Sequence, residues 1–179
     1  KALAGDKRII GISWRSTNDK TTQVKSADLV DWHPILETQD TFFVSLQYGD
    51  FGDELQAYNH THATNVYVYV DDDVKPLDSL EDAMAQIAAM DLVISVSNSN
   101  VHMAGAMGVP TWLMLSRNVG TLWFWFMEGD TSPWYPSLRK FRQRMSSVYE
   151  KIWWPDVVAE VASALQKWMA EPLPPRPDL

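Results

Sequence analysis

The chain has no cysteine, so disulfide staples and thiol chemistry are both excluded, and a cytoplasmic setting is the expectation. It is short of positive charge: 15 Lys and Arg stand against 23 Asp and Glu, a formal net charge of -8. A general nucleic-acid binder needs a basic face, so the balance argues against that class. No apolar run approaches the ~20 residues that cross a bilayer, so no transmembrane segment is expected. The N-terminus has no signal-peptide pattern. Arg139, Arg142 and Arg144 form a local basic patch, open to a phosphate or a peripheral membrane contact but more simply read as solvated or paired with nearby acids. G-x-G-x-x-G and G-x-x-x-x-G-K-[ST] are also missing, and with them the usual dinucleotide and P-loop signatures.

What remains is an ordinary globular composition, 46% apolar and 21% charged over 179 residues, enough for one domain with a sizeable core. Residues 1–170 read as that domain and 171–179, "EPLPPRPDL", as a proline-rich tail. Nine tryptophans are the compositional oddity.

Apolar patterning predicts strands at Arg8–Trp14, Thr41–Leu46, Val66–Val70, Asp91–Val96 and Thr111–Leu115. Helical spacing appears at Asp28–Leu36, with Pro34 inside it, and from Leu80, behind the cap-like Ser79-Leu80-Glu81-Asp82. A small helix runs from about Asn100 to Met107 and is closed by Gly108 and Pro110. Asp156–Ala170 is the last helix, with Pro155 at its start and Val157, Val158, Val161, Leu165, Trp168 and Met169 on one face. Alternating strands and helices imply an α/β, Rossmann-like parallel sheet with helices on both faces. Residues 116–150 are aromatic and lack periodicity, and read as a functional loop region.

In such a sheet, ligands bind beyond the carboxyl ends of the strands. The apolar run "DLVISV" stops there at Ser97-Asn98-Ser99-Asn100 and passes directly into the small helix. First-turn amides at the positive end of a helix dipole suit an anion, above all a phosphate. His102 falls in that first turn and can donate to a phosphate oxygen. Plain capping by Ser and Asn accounts for the same residues equally well. Arg15, directly after the first strand, is the leading phosphate ligand, since a guanidinium fork fits phosphate oxygens. Gln47, Tyr48 and Asp50 end the second strand facing the expected cleft, or simply form a turn around Gly49. Asp71-Asp72-Asp73 ends the third, where a carboxylate such as Asp73 can accept from ribose hydroxyls or belong to a solvated loop. His60-x-His62 has a chelating spacing but no further Cys or His nearby, so a surface turn is expected and no metal. Trp123, Trp125, Trp134 and Tyr135 can stack on a base or sugar, but most of these rings read as core under a long loop.

"IIGISWRS", "FFVSLQYGD", "AQIAAMDLVISVSNS", "HMAGAMGVPTWLML" and "SPWYPSLRKFRQ", in this order, resemble the C-terminal donor-binding domain of GT-B glycosyltransferases. The resemblance is nearest to bacterial heptosyltransferase-like and O-linked GlcNAc transferase-like proteins that are often fused to tetratricopeptide repeats. It covers nearly the whole chain, and it implies the C-terminal half of a GT-B fold. The implied activity is sugar transfer from a nucleoside-diphosphate sugar to an acceptor held mostly by a separate N-terminal domain, with no metal or other cofactor. His102 matches the family histidine. Ser97-Asn98-Ser99 stand where the heptosyltransferases carry Asp-Thr-Gly, and Phe124 stands where related sequences have an arginine. A basic residue after the first strand contacts the diphosphate in related enzymes, which implicates Arg15, Lys20 or Lys25. Strand ends and resemblance together make His102 and Arg15 the catalytic candidates, and Ser97, Asn98, Ser99, Asn100, Arg15, Lys20, Gln47 and Asp73 the candidates for holding the donor. The alternatives are a non-catalytic nucleotide-binding or scaffold domain, favoured by the missing carboxylate, and a nucleotide-sugar epimerase of GT-B fold.

Overall fold

The computed structural model describes residues 3–16, 25–62, 67–116, 122–143 and 154–173. Six strands form one all-parallel sheet: β1 (Arg8–Ser13), β2 (Thr41–Ser45), β3 (Val68–Tyr69), β4 (Leu92–Val96), β5 (Thr111–Leu115) and β6 (Leu138–Arg142). Their spatial order is β3-β2-β1-β4-β5-β6, so β1 and β4 are the neighbours at which the winding reverses. The helices are α1 (His33–Leu36), α2 (Gly52–His62), α3 (Leu80–Ala88), α4 (Ser99–Ala106) and α5 (Pro155–Ala170). The chain is therefore an α/β, Rossmann-like domain with helices on both faces, as its alternating pattern predicts.

β4 and β5 are buried along their whole length, because both faces of a parallel sheet are covered. The period-two alternation of a strand then distributes the core. Ile10, Ile12, Leu92, Ile94, Val96, Trp112 and Met114 point to one face, where α1, α2 and α5 pack. Ile9, Val44 and Val93 point to the other, against Ile87 of α3 and Ala104 of α4. On that second face Leu113, Leu115 and Leu138 are covered by Val101 and Trp125. The long helix α5 buries Val157, Val158, Val161, Ala162 and Leu165. Each large aliphatic among them contributes roughly 1.5–3 kcal/mol.

Three elements differ from the sequence expectation. Asp28–Leu36 is a 3-10 turn (Leu29–Trp32) followed by the single turn α1, which begins at His33 and so places Pro34 in its first turn, where a missing N–H costs nothing. The α2 helix, which carries His60 and His62, replaces the expected surface turn. It buries only Leu55 and Tyr58, too sparse a stripe to register as periodic. Within 116–150, Trp123–Trp125 form a 3-10 turn and Leu138–Arg142 form β6, the sheet edge. The incoming loop folds back onto that edge through an antiparallel bridge between Thr131 and Arg139, and Lys140 N–H donates to Asp130 O at 2.6 Å. Among the described residues no helix is long and apolar enough to cross a membrane.

Candidate functional site

The carboxyl ends of β1, β2 and β4 meet at the reversal point, and their polar side chains bond to one another. Gln47, buried at the end of β2, accepts at Oε1 from Ser13 Oγ (3.1 Å), Trp14 N (3.1 Å) and Arg15 N (2.9 Å). Its Nε2 donates to Tyr48 O (3.0 Å) and Arg15 O (3.3 Å). Gln47 thus fixes the chain leaving β1, a stronger constraint than the turn or cleft-facing role its sequence position suggests.

Asn98 supplies the second clamp. Its Nδ2 donates to Ser13 Oγ (2.7 Å) and Arg15 O (3.2 Å), while its Oδ1 accepts from Ser95 Oγ (3.2 Å) and from the amide of Asn100 (3.1 Å). It is the N-cap of α4 and ties that helix to β1 in the same stroke. Asn100 is buried and donates to Leu46 O (2.8 Å), so it braces β2. Ser97 accepts from the Trp125 indole (2.9 Å). Ser99 lies toward the opening and shares a hydrogen bond with Tyr48 Oη (2.8 Å). Of the four predicted residues, Ser97, Asn98 and Asn100 build the crevice wall, and Ser99 sits at its mouth with Tyr48.

Arg15 stands beside this crevice already paired. Its Nε lies 2.7 Å from Glu54 Oε2, and its Nη2 lies 3.0 Å from both Glu54 Oε1 and Asp28 Oδ1. The hydrogen bond to Glu54 leads the effects that raise the Arg15 pKa. Burial pushes the Glu54 carboxyl up, but donors from Arg15, Leu29 N and Trp14 Nε1 outweigh it and hold Glu54 below its ordinary value. Glu54 leaves no local signal in the sequence, since it sits in the polar first turn of α2 and meets its partners only through the fold.

His102, one turn into α4, faces the aromatic segment after β5. Its Nδ1 is 2.9 Å from Tyr135 Oη, and its ring stacks on Trp125 at 5.0 Å and 21°. Burial lowers its pKa, so the ring is neutral at pH 7. The close seating of α4 depends on Gly105, where a Cβ would stand 2.5 Å from Tyr135 Cγ.

Beyond the mouth lies a cleft of about 400 Å³ lined by Gln47, Tyr48, Asp71, Asp72 and Lys75, among others. Asp73 lies apart from it. That residue lines a different cavity, of about 430 Å³, with Tyr69 and Asp82 beside α3. Of the three acids at the end of β3, Asp72 lines the cleft, Asp73 the other cavity, and Asp71 both. Lys20 lies outside the described residues. Lys25 is buried, which lowers its pKa. His60 and His62 do not converge: the His62 ring stacks on Tyr58 at 4.3 Å, and its Nδ1 donates to Tyr58 O (2.9 Å). Among the described residues no group of three or more His, Asp or Glu is placed to hold a metal ion.

No family model matches the chain. Over 164 residues, 90% of its length, it is 30% identical to Protein FlbA of Caulobacter vibrioides (strain ATCC 19089 / CIP 103742 / CB 15), and it spans 25% of that protein.

Proposed function

We propose that this domain is the donor-binding half of a glycosyltransferase and holds a nucleotide sugar at the carboxyl ends of β1, β2, β3 and β4. The observation that carries the reading is the reversal of winding between β1 and β4, with the start of α4 and an open cleft of about 400 Å³ on the same edge of the sheet. Open α/β sheets take ligands at that point. In this reading the nucleoside occupies the cleft, where Asp71 or Asp72 accepts from ribose hydroxyls. The phosphates lie toward the first turn of α4, beside the Tyr48–Ser99 hydroxyl pair. In this reading Tyr135 Oη donates to Nδ1, and the neutral His102, its proton on Nε2, offers a hydrogen bond to the leaving phosphate as charge develops there. Arg15 adds positive charge only by exchanging Glu54 or Asp28 for the anion. The acceptor is held mostly by a separate N-terminal domain, which also carries the group that deprotonates it.

One observation favours a second reading, a scaffold domain without catalysis. The described side chains of Ser97, Asn98, Asn100 and Arg15 are all bonded within the protein, and Ser97-Asn98-Ser99 offers no carboxylate. A thermal-shift and calorimetric screen with UDP, ADP, GDP and their sugars separates the two. At a ligand concentration 100-fold above Kd, a binder adds about 2.7 kcal/mol of stability. The donor reading expects one nucleotide series to do so and the effect to fall in Tyr48→Phe and His102→Ala. Silence from every nucleotide would leave the scaffold.

A further inference from the structure

The segment between β5 and β6 holds several aromatic rings outside the core. Phe126 has φ 53° and ψ 164°, a left-handed backbone that a bulky residue seldom adopts. Two cations hold the backbone there. Lys140, buried, donates from Nζ to Trp125 O (3.0 Å) and Glu128 O (3.4 Å), and Arg142 Nη2 donates to Trp125 O (2.6 Å) and to Phe126 O. Trp134 Nε1 donates to Phe124 O (3.0 Å), which fixes its indole. Trp134 then lies nearly parallel to Phe126, at 6.4 Å and 17°, and perpendicular to Trp123, at 6.5 Å and 84°.

These rings face water, the Trp134 indole held by its hydrogen bond and Trp123 resting edge-on against Phe124 and Trp134. Trp123 is 78% exposed, Trp134 51% and Phe126 45%. A loop that merely covered the sheet would bury them, as it buries Trp125 beneath. The carboxylates of Glu128 and Asp130 lie exposed on the same loop. Trp125, between Trp123 and Phe126 in the chain, reaches the crevice, donating to Ser97 and stacking on His102.

A pyranose has an apolar C–H face and a rim of hydroxyls. Aromatic faces, which carry only two side-chain torsions to immobilise, match the first, and carboxylate acceptors the second. We propose that Trp123, Phe126 and Trp134 are a stacking platform for a saccharide ring, with Glu128 and Asp130 accepting from its hydroxyls. This rests on the nucleotide-sugar reading above. The ring belongs either to the donor or to the saccharide that receives it.

Calorimetry with UDP, ADP, GDP, their sugars, methyl glycosides and chitobiose, on the chain and on Trp123→Ala and Trp123→Tyr, tests the platform. We expect Trp123→Ala to weaken saccharide binding about tenfold, or about 1.4 kcal/mol, and Trp123→Tyr to restore most of it. Loss confined to nucleotide sugars, with the bare nucleotide unchanged, assigns the donor ring. Loss confined to free glycosides assigns the acceptor. Nucleotide-sugar and glycoside binding unchanged in Trp123→Ala, or a loss that Tyr does not restore, overturns the platform and leaves the donor reading standing. Glycoside binding that depends on Trp123, with no nucleotide bound, keeps the platform and defeats the donor reading. Silence from every probe overturns both.

Discussion

The crevice at the ends of β1, β2 and β4 and the aromatic loop after β5 are neighbours built in opposite ways. In the crevice, polar groups that water could have solvated are bonded to each other: Gln47 and Asn98 both reach the chain leaving β1, and Arg15 is held by two carboxylates. In the loop, apolar rings that a core could have absorbed are left facing solvent on a strained turn. Bonding within the crevice makes it rigid, but a ligand must then compete with bonds already formed. The loop's rings have no such competitor.

Substitutions can break this contrast. The largest effect is expected where the two regions join: Trp125→Ala removes a fully buried indole and strips Ser97 and His102 of their partner, at about 3–5 kcal/mol in denaturant unfolding. A loss below about 1 kcal/mol would mean that loop and crevice are not mechanically connected. Glu54→Ala should cost about 2 kcal/mol, because Trp14 Nε1 and Leu29 N lose their acceptor along with Arg15. It should also tighten nucleotide binding by releasing Arg15, and weaker binding would show that Arg15 plays no part in holding the anion. The native carboxylate carries a pH signature. Its folded pKa is depressed, so its stabilisation is present above the unfolded value of about 4.3 and is lost as pH falls through the folded one.

Gly105→Ala should cost about 1–3 kcal/mol, since the new methyl meets Tyr135 at its ring root rather than at a movable tip. Displacing Tyr135 should also open the His102 ring to water and bring its NMR-titrated pKa back toward about 6.5. In the native chain that pKa is lowered by burial, so the folded state resists protonation. Stability should be complete above about pH 6.5 and decline as pH falls below it, and His102→Asn should flatten that decline in a melting series. Smallest of all, Trp123→Ala should change unfolding stability by less than about 0.5 kcal/mol, as expected of a ring 78% exposed.

How much of this the sequence discloses depends on how local the signal is. The β4–α4–β5 stretch is readable because its apolar strands, Asn98 cap and Gly108 stop all act within a few residues. The α2 helix is not, since only Leu55 and Tyr58 mark its buried side. Nor is β6, whose Lys140 and Arg142 donate to the carbonyl of Trp125 in the loop before it and look like surface charge. At the site, the strand ends give away Arg15, Gln47 and Ser97–Asn100, but Glu54 and Asp28, which hold Arg15, come from elsewhere. Asp71, Asp72 and Asp73 are indistinguishable in a run of three acids, and only the fold sets Asp72 at the cleft, Asp73 at the other cavity and Asp71 between the two.

The bridge from Thr131 to Arg139 has a consequence of its own. A parallel sheet that ended at a bare β6 would expose a row of unpaired peptide groups to any other chain, an invitation to polymerise. The returning loop engages part of that row with Thr131 and Asp130 before another molecule can reach it. At the opposite margin β3 offers only Val68 and Tyr69. Deleting the loop would therefore do more than remove rings: it would uncap the sheet, and light scattering on such a deletion should rise with time.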